Sequence, residues 1–308
     1  MNLTESILRY RRYLKRRNLA SHTVKNYLHR LKQFMIWAAV PVEAVVKQDV
    51  KDYIDVLLEK RLSAQTINAH LIAIRRFYSY LRNEEELQLC NPVIKGLALR
   101  LPSPLPQHLR DSDVDIFLHS IKKDRDTAIF MLMLRCGMRV EEVAHLTLGA
   151  IDYRRNQIMV RSGKGAKDRV VYISNDAAEA LAVYLQKRPV TIEQKVFLVE
   201  KGCCKGQPIS VRGMQKRIEY YSKKSGISVS CHRLRHTMAT QLLNADADLV
   251  TIQDLLGHNR IETTQRYSRL SNLKAQRDYY TAMDKVMKKM AIETISATDI
   301  LDKTPENR

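Results

Sequence analysis

The chain has 308 residues, 45% of them apolar and 28% charged, the balance of a globular protein long enough for two domains with separate cores. No apolar run of about 18 residues occurs, and the N-terminal "MNLTESILRYRRYLKRR" has no continuous apolar stretch, so no membrane span or secretory leader is expected and the expected location is the cytoplasm, on the nucleoid. A net charge of +19 and a pI near 9.8 point instead to a polyanionic partner, nucleic acid foremost.

The first hundred residues read as four helices. The first lies near residues 3–17. Ser21 is placed to cap the second, whose stripe is Val24, Tyr27, Leu28, Leu31, Phe34 and Met35. Val50, Tyr53, Ile54, Leu57 and Leu58 mark the third; Ser63 caps the fourth, with Ile67, Leu71, Ile74, Phe77 and Leu81 on one face. Between Ser6 and Val42 there is no acidic residue but nine basic ones, among them Arg9, Arg12, Arg16, Lys25, Arg30 and Lys32. A solvated face ordinarily mixes both signs, so these are expected phosphate contacts. Gln65, Asn68, Arg75 and Arg76 on the fourth helix are the expected partners of the second helix in reading bases.

The proline-rich "NPVIKGLALRLPSPLPQHLRDSD" then breaks the pattern. The domains drawn from it are a helical unit over 1–101, a linker over 102–110, a second domain over 111–290 and a polar, flexible tail over 291–308. The second domain opens with helices, one carrying the apolar run Ala128–Leu134 and ending at Gly137. Three short strands follow, Ile151–Tyr153, Gln157–Arg161 and Arg169–Ile173, separated by turns and expected to form an antiparallel sheet. From Asn175 to about Met290 the pattern reads as helical. The fold class is therefore mainly α: a four-helix unit followed by a mixed α+β domain with a small three-stranded sheet.

Polar groups stand out in five places of this second domain. In "GMRVEEV", Arg139 begins a helix, against the macrodipole, and Glu142 at i+3 is placed to hold its guanidinium. A local ion pair and an anion-binding arginine are both compatible with that spacing. In "SGKGAKDR", Lys164 lies between two glycines at a hairpin tip; a phosphate-cradling P-loop is excluded by Ile158 where its first glycine would stand. His232, Arg235 and His236 of "CHRLRH" share a helix face. The arginine between the histidines disfavours a metal and suits an oxyanion. His258 follows a helix-ending Gly257, and Tyr267 comes nine residues later. The five cysteines (Cys90, Cys136, Cys203, Cys204 and Cys231) form no CxxC pair, so neither a disulfide framework nor a zinc site is expected, and no cofactor is.

Two arginines, two histidines, a lysine and a tyrosine form the set that metal-free phosphodiester transesterification needs. Guanidiniums neutralise the charge that grows on the phosphoryl oxygens, and a tyrosine can hold the strand as an ester. With "GMRVEEV", "SGKGAKDR", "HRLRH" and "LGHNRIETTQRY" in this order and spacing, the chain resembles the tyrosine site-specific recombinases of the phage integrase family, most closely the Xer type, over nearly its whole length.

The resemblance implies a core-binding domain over 1–101 and a catalytic domain over 111–290 that clamp duplex DNA. It implies Arg139 and Arg235 as phosphate clamps, Lys164 as general acid and His232 as a helper in proton transfer. His258 would bond the scissile phosphate, Tyr267 would be the nucleophile, and Glu142 and His236 would support them. It further implies a homotetramer on two synapsed sites, with or without a partner recombinase, working through a Holliday junction in dimer or cointegrate resolution or in integration. The chain starts directly with the clamp domain, so an additional arm-binding domain is not expected. The stretch Asn272 to Met290 is expected either to pack on a neighbouring protomer or within its own domain. Two alternatives stand beside this reading: a type IB topoisomerase, which needs no paired site, and a DNA-binding protein without catalysis.

Overall fold

The computed structural model describes residues 3–102, 107–161 and 168–257, and Tyr279–Thr281 with Met283. The chain divides into two units, 1–103 and 104–308.

The first unit contains α1 (Leu3–Arg16), α2 (Ser21–Ala38), α3 (Lys47–Glu59) and α4 (Ala64–Asn83), with a 3-10 turn at Val42–Ala44. The stripes read from the sequence converge: Leu31, Phe34, Val50, Ile67, Ile74, Phe77 and Leu81 are completely buried, and Tyr10 of α1 joins them. Tyr10 meets Phe77 edge to face at 5.2 Å, the arrangement that ring quadrupoles favour. Two details differ from the sequence reading. Ala20, not Ser21, takes the cap position of α2, so Ser21 is its first helical residue. Leu58 is 47% exposed, because the buried stripe of α3 runs through Tyr53, Ile54 and Leu57 and turns Leu58 outward. Ser63 does cap α4, its Oγ accepting from the Thr66 N–H.

After α4 the chain has no regular structure, yet it is sewn to that helix. Asn68 exchanges two 2.8 Å hydrogen bonds with the Leu99 backbone, Arg75 donates to the Val93 and Ile94 carbonyls, and Val93 is buried.

The second unit is built around α6 (Asp124–Arg135), where every residue from Ala128 to Leu134 is buried. A helix apolar on all sides must be surrounded. It packs against α8 (Asn175–Lys187) and α10 (Cys231–Asn244), and more lightly against α7 (Val140–His145) and α9 (Val211–Ser225). α5 (Asp111–Ser120) covers α9. Leu109, just ahead of α5, is 1% exposed and donates its N–H to Thr237 Oγ1, so this unit's core begins before its first helix.

Strands β1 (Ile151–Asp152), β2 (Gln157–Val160) and β3 (Arg169–Tyr172) form an antiparallel sheet in sequence order, with Ile158 opposite Ile151 and Val171, and Val160 opposite Arg169. The pleat buries Ile158 and Val160 and leaves Met159 41% exposed. The last helix before the chain leaves the described residues is α11 (Leu249–Leu256), packed on α10 and β3.

One expectation fails. Residues 188–210 are not helical. Pro189 stops α8, Gly202 and Gly206 take positive φ, and the segment pairs through the bridges Thr147↔Lys195 and Leu198↔Pro208. Its carbonyls are gathered by Arg188, which donates to Glu193, Lys195 and Val196. No helix among the described residues is long and apolar enough to cross a membrane.

Candidate active site

The site grows from the C-terminal end of α11. A helix leaves its last carbonyls without intrahelical donors and with partial negative charge. Here three arginines supply the donors. Arg169 Nε donates to Leu255 O at 3.0 Å, an Arg235 guanidinium N–H donates to Leu256 O, and Arg139 Nη2 donates to Gly257 O at 3.1 Å. Arg235 also donates to the carbonyl of Gly137 and is 4% exposed. The guanidiniums therefore converge from β3, from α10 and from the start of α7.

Two glycines permit this approach. Gly257 closes α11 at φ +58, and a Cβ there would lie 3.0 Å from Arg169 Cδ. Gly137, at φ +61, would push a Cβ to 3.1 Å from both Leu256 Cδ2 and Met238 Sδ. Both need the left-handed backbone and the missing side chain.

Glu142 balances part of the charge. Its carboxylate receives Arg139 Nη1 at 2.8 Å, the Arg139 main-chain N–H at 2.7 Å and both terminal nitrogens of Arg169 at 2.7 Å. Only 7% of its side chain is exposed. Burial alone would push its pKa up. The hydrogen bonds and charge of Arg169, with the two donors of Arg139, outweigh burial and hold it at about 2. The i+3 spacing of Glu142 thus does hold the Arg139 guanidinium, and the ion pair and the arginine cluster are one feature.

On the same side of α10 as Arg235, His232 and His236 stack with ring centroids 6.1 Å apart; His232 is exposed and His236 half-buried. Ser230 caps this helix through the Arg233 N–H. Lys164, His258 and Tyr267 lie outside the described residues, as do residues 272–278, 282 and 284–290 of the stretch expected to pack on a neighbour or within its own domain, and the tail 291–308. Sequence reasoning missed Arg169. It closes the stretch "SGKGAKDR" that drew attention to Lys164, and its distance of 27 residues from Glu142 hid the pairing. Among the described residues no group of three or more His, Cys, Asp or Glu gathers as metal ligands do.

In the first unit Arg12, Arg16, Lys25, Lys32 and Gln65 are exposed and Arg30 is half-buried. Arg9 pairs with Glu5 and Glu85, and Arg76 lies over the Tyr27 ring at 5.2 Å. Asn68 and Arg75 are the two expected contacts that the fold employs internally, through the backbone bonds to residues 93–99 described above.

Residues 107–274 match the family described as "Phage integrase family", and residues 7–85 match "Phage integrase, N-terminal SAM-like domain". The tyrosine recombinase XerC of Thermodesulfovibrio yellowstonii is 35% identical over 81% of this chain and 86% of its own length. XerC of Syntrophus aciditrophicus is 32% identical over 87% of this chain and 94% of its own. In fold, the chain is similar to XerH site-specific recombinase, solved bound to a palindromic difH substrate in a post-cleavage complex, with a TM-score of 0.71 at 20% identity over 85% of this chain and 80% of that one. A cluster of arginines around one carboxylate, a three-stranded sheet in a helical frame and a family match over more than half the chain make this protein a member of the phage integrase family, the tyrosine recombinases.

Proposed function

We propose that this chain cleaves and rejoins a specific DNA site through a 3′-phosphotyrosyl intermediate. The observation that carries the reading is the convergence of Arg139 and Arg235 on one point, with Glu142 and Arg169 fixing the first of them. A scissile phosphodiester is already anionic, and its transition state spreads further charge over the oxygens. Two guanidiniums that never deprotonate answer that charge. Tyr267 attacks phosphorus and gives up its phenolic proton, which His232 helps away, while the bond to the 5′ oxygen breaks and Lys164 gives that oxygen its proton. His258 bonds the phosphate, and His236 supports the face it shares with Arg235. The displaced 5′ hydroxyl of another strand reverses the step, so bond energy is kept and no cofactor is consumed.

Double-stranded DNA is the partner, by likeness to the XerH complex and from the exposed basic residues of α1 and α2. Four protomers on two sites would exchange strands in pairs through a Holliday junction, on the nucleoid, with or without a second recombinase. Arg9, Arg12, Arg16, Lys25, Arg30 and Lys32 would hold phosphates, with Gln65 and Arg76 nearest to base reading. The domain limits 1–101 and 111–290 belong to the same proposal.

The test is a nicked suicide duplex carrying the site that the purified protein footprints beside its own gene. Wild type is expected to become covalently attached and Tyr267→Phe to bind without attaching. An adduct that persists in Tyr267→Phe overturns the assignment and moves suspicion to Tyr279 or Tyr280. Relaxation of supercoils without any paired site would favour the topoisomerase reading.

A further inference from the structure

The carboxylate of Glu142 is saturated. An ionised carboxyl has about four lone-pair positions, and four donors fill them: Arg139 Nη1 and Arg169 Nη1 on Oε1, the Arg139 main-chain N–H and Arg169 Nη2 on Oε2. The two arginines use it differently. Arg169 takes it end-on with both terminal nitrogens, a bidentate and more directional arrangement. Arg139 gives its side chain only one contact there and sends Nη2 to Gly257 O. Among the described residues two guanidiniums thus share one negative charge, with the Arg139 side chain 17% exposed and that of Arg169 10%. At such burial charges are weakly screened, so the surplus positive charge is felt at the surface near Arg139.

We infer that Arg169 is a positioning residue for strand transfer: by occupying both oxygens of Glu142, it keeps the Arg139 guanidinium un-neutralised and directed to the end of α11. Without Arg169, Glu142 would be free to take Arg139 with both oxygens, cancel its charge and draw it from Gly257. The aliphatic part of Arg169 also lies against Gly257, and its Nε holds Leu255 O, so one side chain fixes both the clamp and the helix end from which His258 follows in the sequence. The inference rests on the reading of Arg139 as a phosphate clamp.

The test separates charge from packing on the same suicide duplex. Arg169→Met keeps the stem and removes the charge; its rate of covalent attachment is expected to fall on the order of 10²-fold, as for loss of a charge-stabilising group, with the DNA footprint retained. Arg169→Met with Glu142→Gln removes the carboxylate that would neutralise Arg139, and is expected to attach roughly tenfold faster than Arg169→Met alone. A residue that only supports the fold predicts the opposite order, since the double variant loses more contacts. Arg169→Met within about threefold of wild type, or a double variant no faster than the single, overturns the inference. Should Arg169→Met fail to fold, Arg169→Lys with and without Glu142→Gln decides by the same comparison: without the fork Glu142 can take Arg139, so the double variant is expected to attach faster than Arg169→Lys, and a double variant no faster overturns the inference. An inactive wild type would instead overturn the functional reading on which all of this stands.

Discussion

The second unit holds two clusters in which a buried carboxylate lies between arginines, and they differ in where the remaining donors go. Asp126, completely buried, receives Arg125 on one oxygen and Arg217 and the Tyr221 hydroxyl on the other. Arg125 directs its last nitrogen to Leu198 O, and Glu200 stands 3.9 Å from it, a second carboxylate in the same neighbourhood. Arg217 lies over the rings of Tyr220 and Tyr221 at 4.8 and 4.9 Å. That cluster is turned inward, with Lys123 Nζ also on Glu200 at 3.1 Å, and it pins α6 to α9 and to the 188–210 segment. Around Glu142, Arg139 and Arg169 share one carboxylate among the described residues, and their spare donors, with those of Arg235, meet a helix end. The same residue types build a rivet in one place and, on the proposed reading, an anion site in the other; guanidiniums gathered at an open helix terminus are what separate them.

The largest effect expected from breaking the comparison is in catalysis. Arg235→Ala or Arg139→Ala should slow covalent attachment to the suicide duplex by about 10⁴-fold, the scale of removing an arginine from a phosphoryl-transfer site. Arg217→Ala should leave the attachment rate of the folded fraction near wild type while lowering the melting temperature. Equal losses of rate in both clusters would erase the distinction.

Next in size is a stability effect confined to the inward cluster. Asp126→Asn removes the charge that Arg125 and Arg217 each contact at 2.8 Å. Leaving buried guanidiniums without it should cost about 4 kcal/mol, read from the urea midpoint. The attachment rate of the folded fraction should stay near wild type.

Much of this was legible in the sequence because it is local. Helix stripes, the cap at Ser63 and the i+3 pair of Arg139 and Glu142 are set by neighbours within one or two turns, and the structure has them; at the end of α6 the cap is Cys136, with Gly137 taking the left-handed turn after it. The sheet was legible because its strands alternate and its turns are short. What stayed hidden is non-local. Arg169 meets Glu142 only when β3 packs beside α11, and Asn68 looked free for DNA until the irregular segment ending at Leu99 folded back on it. Residues 188–210 were misread as helical because their apolar residues carry no clear period, and their shape is fixed by Arg188, Tyr184 and bridges to distant residues.

A third effect sharpens the comparison through pH. The Glu142 carboxyl is held at about 2 in the folded chain, against an ordinary 4.5. A depressed carboxyl stabilises the fold above its unfolded value, and that contribution is lost as pH falls through the folded one. The stabilisation should be on the order of 3 kcal/mol at neutral pH, declining from about pH 4.5 towards pH 2. Urea midpoints of wild type across this window should fall more steeply than those of Glu142→Gln. Parallel curves would mean that Arg139 and Arg169 do not hold the carboxylate as the geometry indicates.

The smallest effect is the most discriminating, because each cluster has a left-handed glycine closing one of its helices. Gly226 ends α9, which carries Arg217 and Tyr221, at φ +71, and nothing lies within 4 Å of where its Cβ would be. Gly257 ends α11 at φ +58, and its Cβ would lie 3.0 Å from Arg169 Cδ and 3.4 Å from Arg169 Nε. Alanine at either position carries the left-handed backbone cost of about 1 kcal/mol, so both variants should melt a few degrees lower. Only Gly257→Ala must also displace Arg169. Arg169 cannot move without loosening its bonds to Leu255 O and Glu142, and Arg139 is tied to that carboxylate. Gly257→Ala should therefore slow covalent attachment by about tenfold more than Gly226→Ala does at equal loss of stability. Equal rates in the two variants would show that the arginines at the end of α11 tolerate displacement, and would make the Glu142 cluster a rivet like the other.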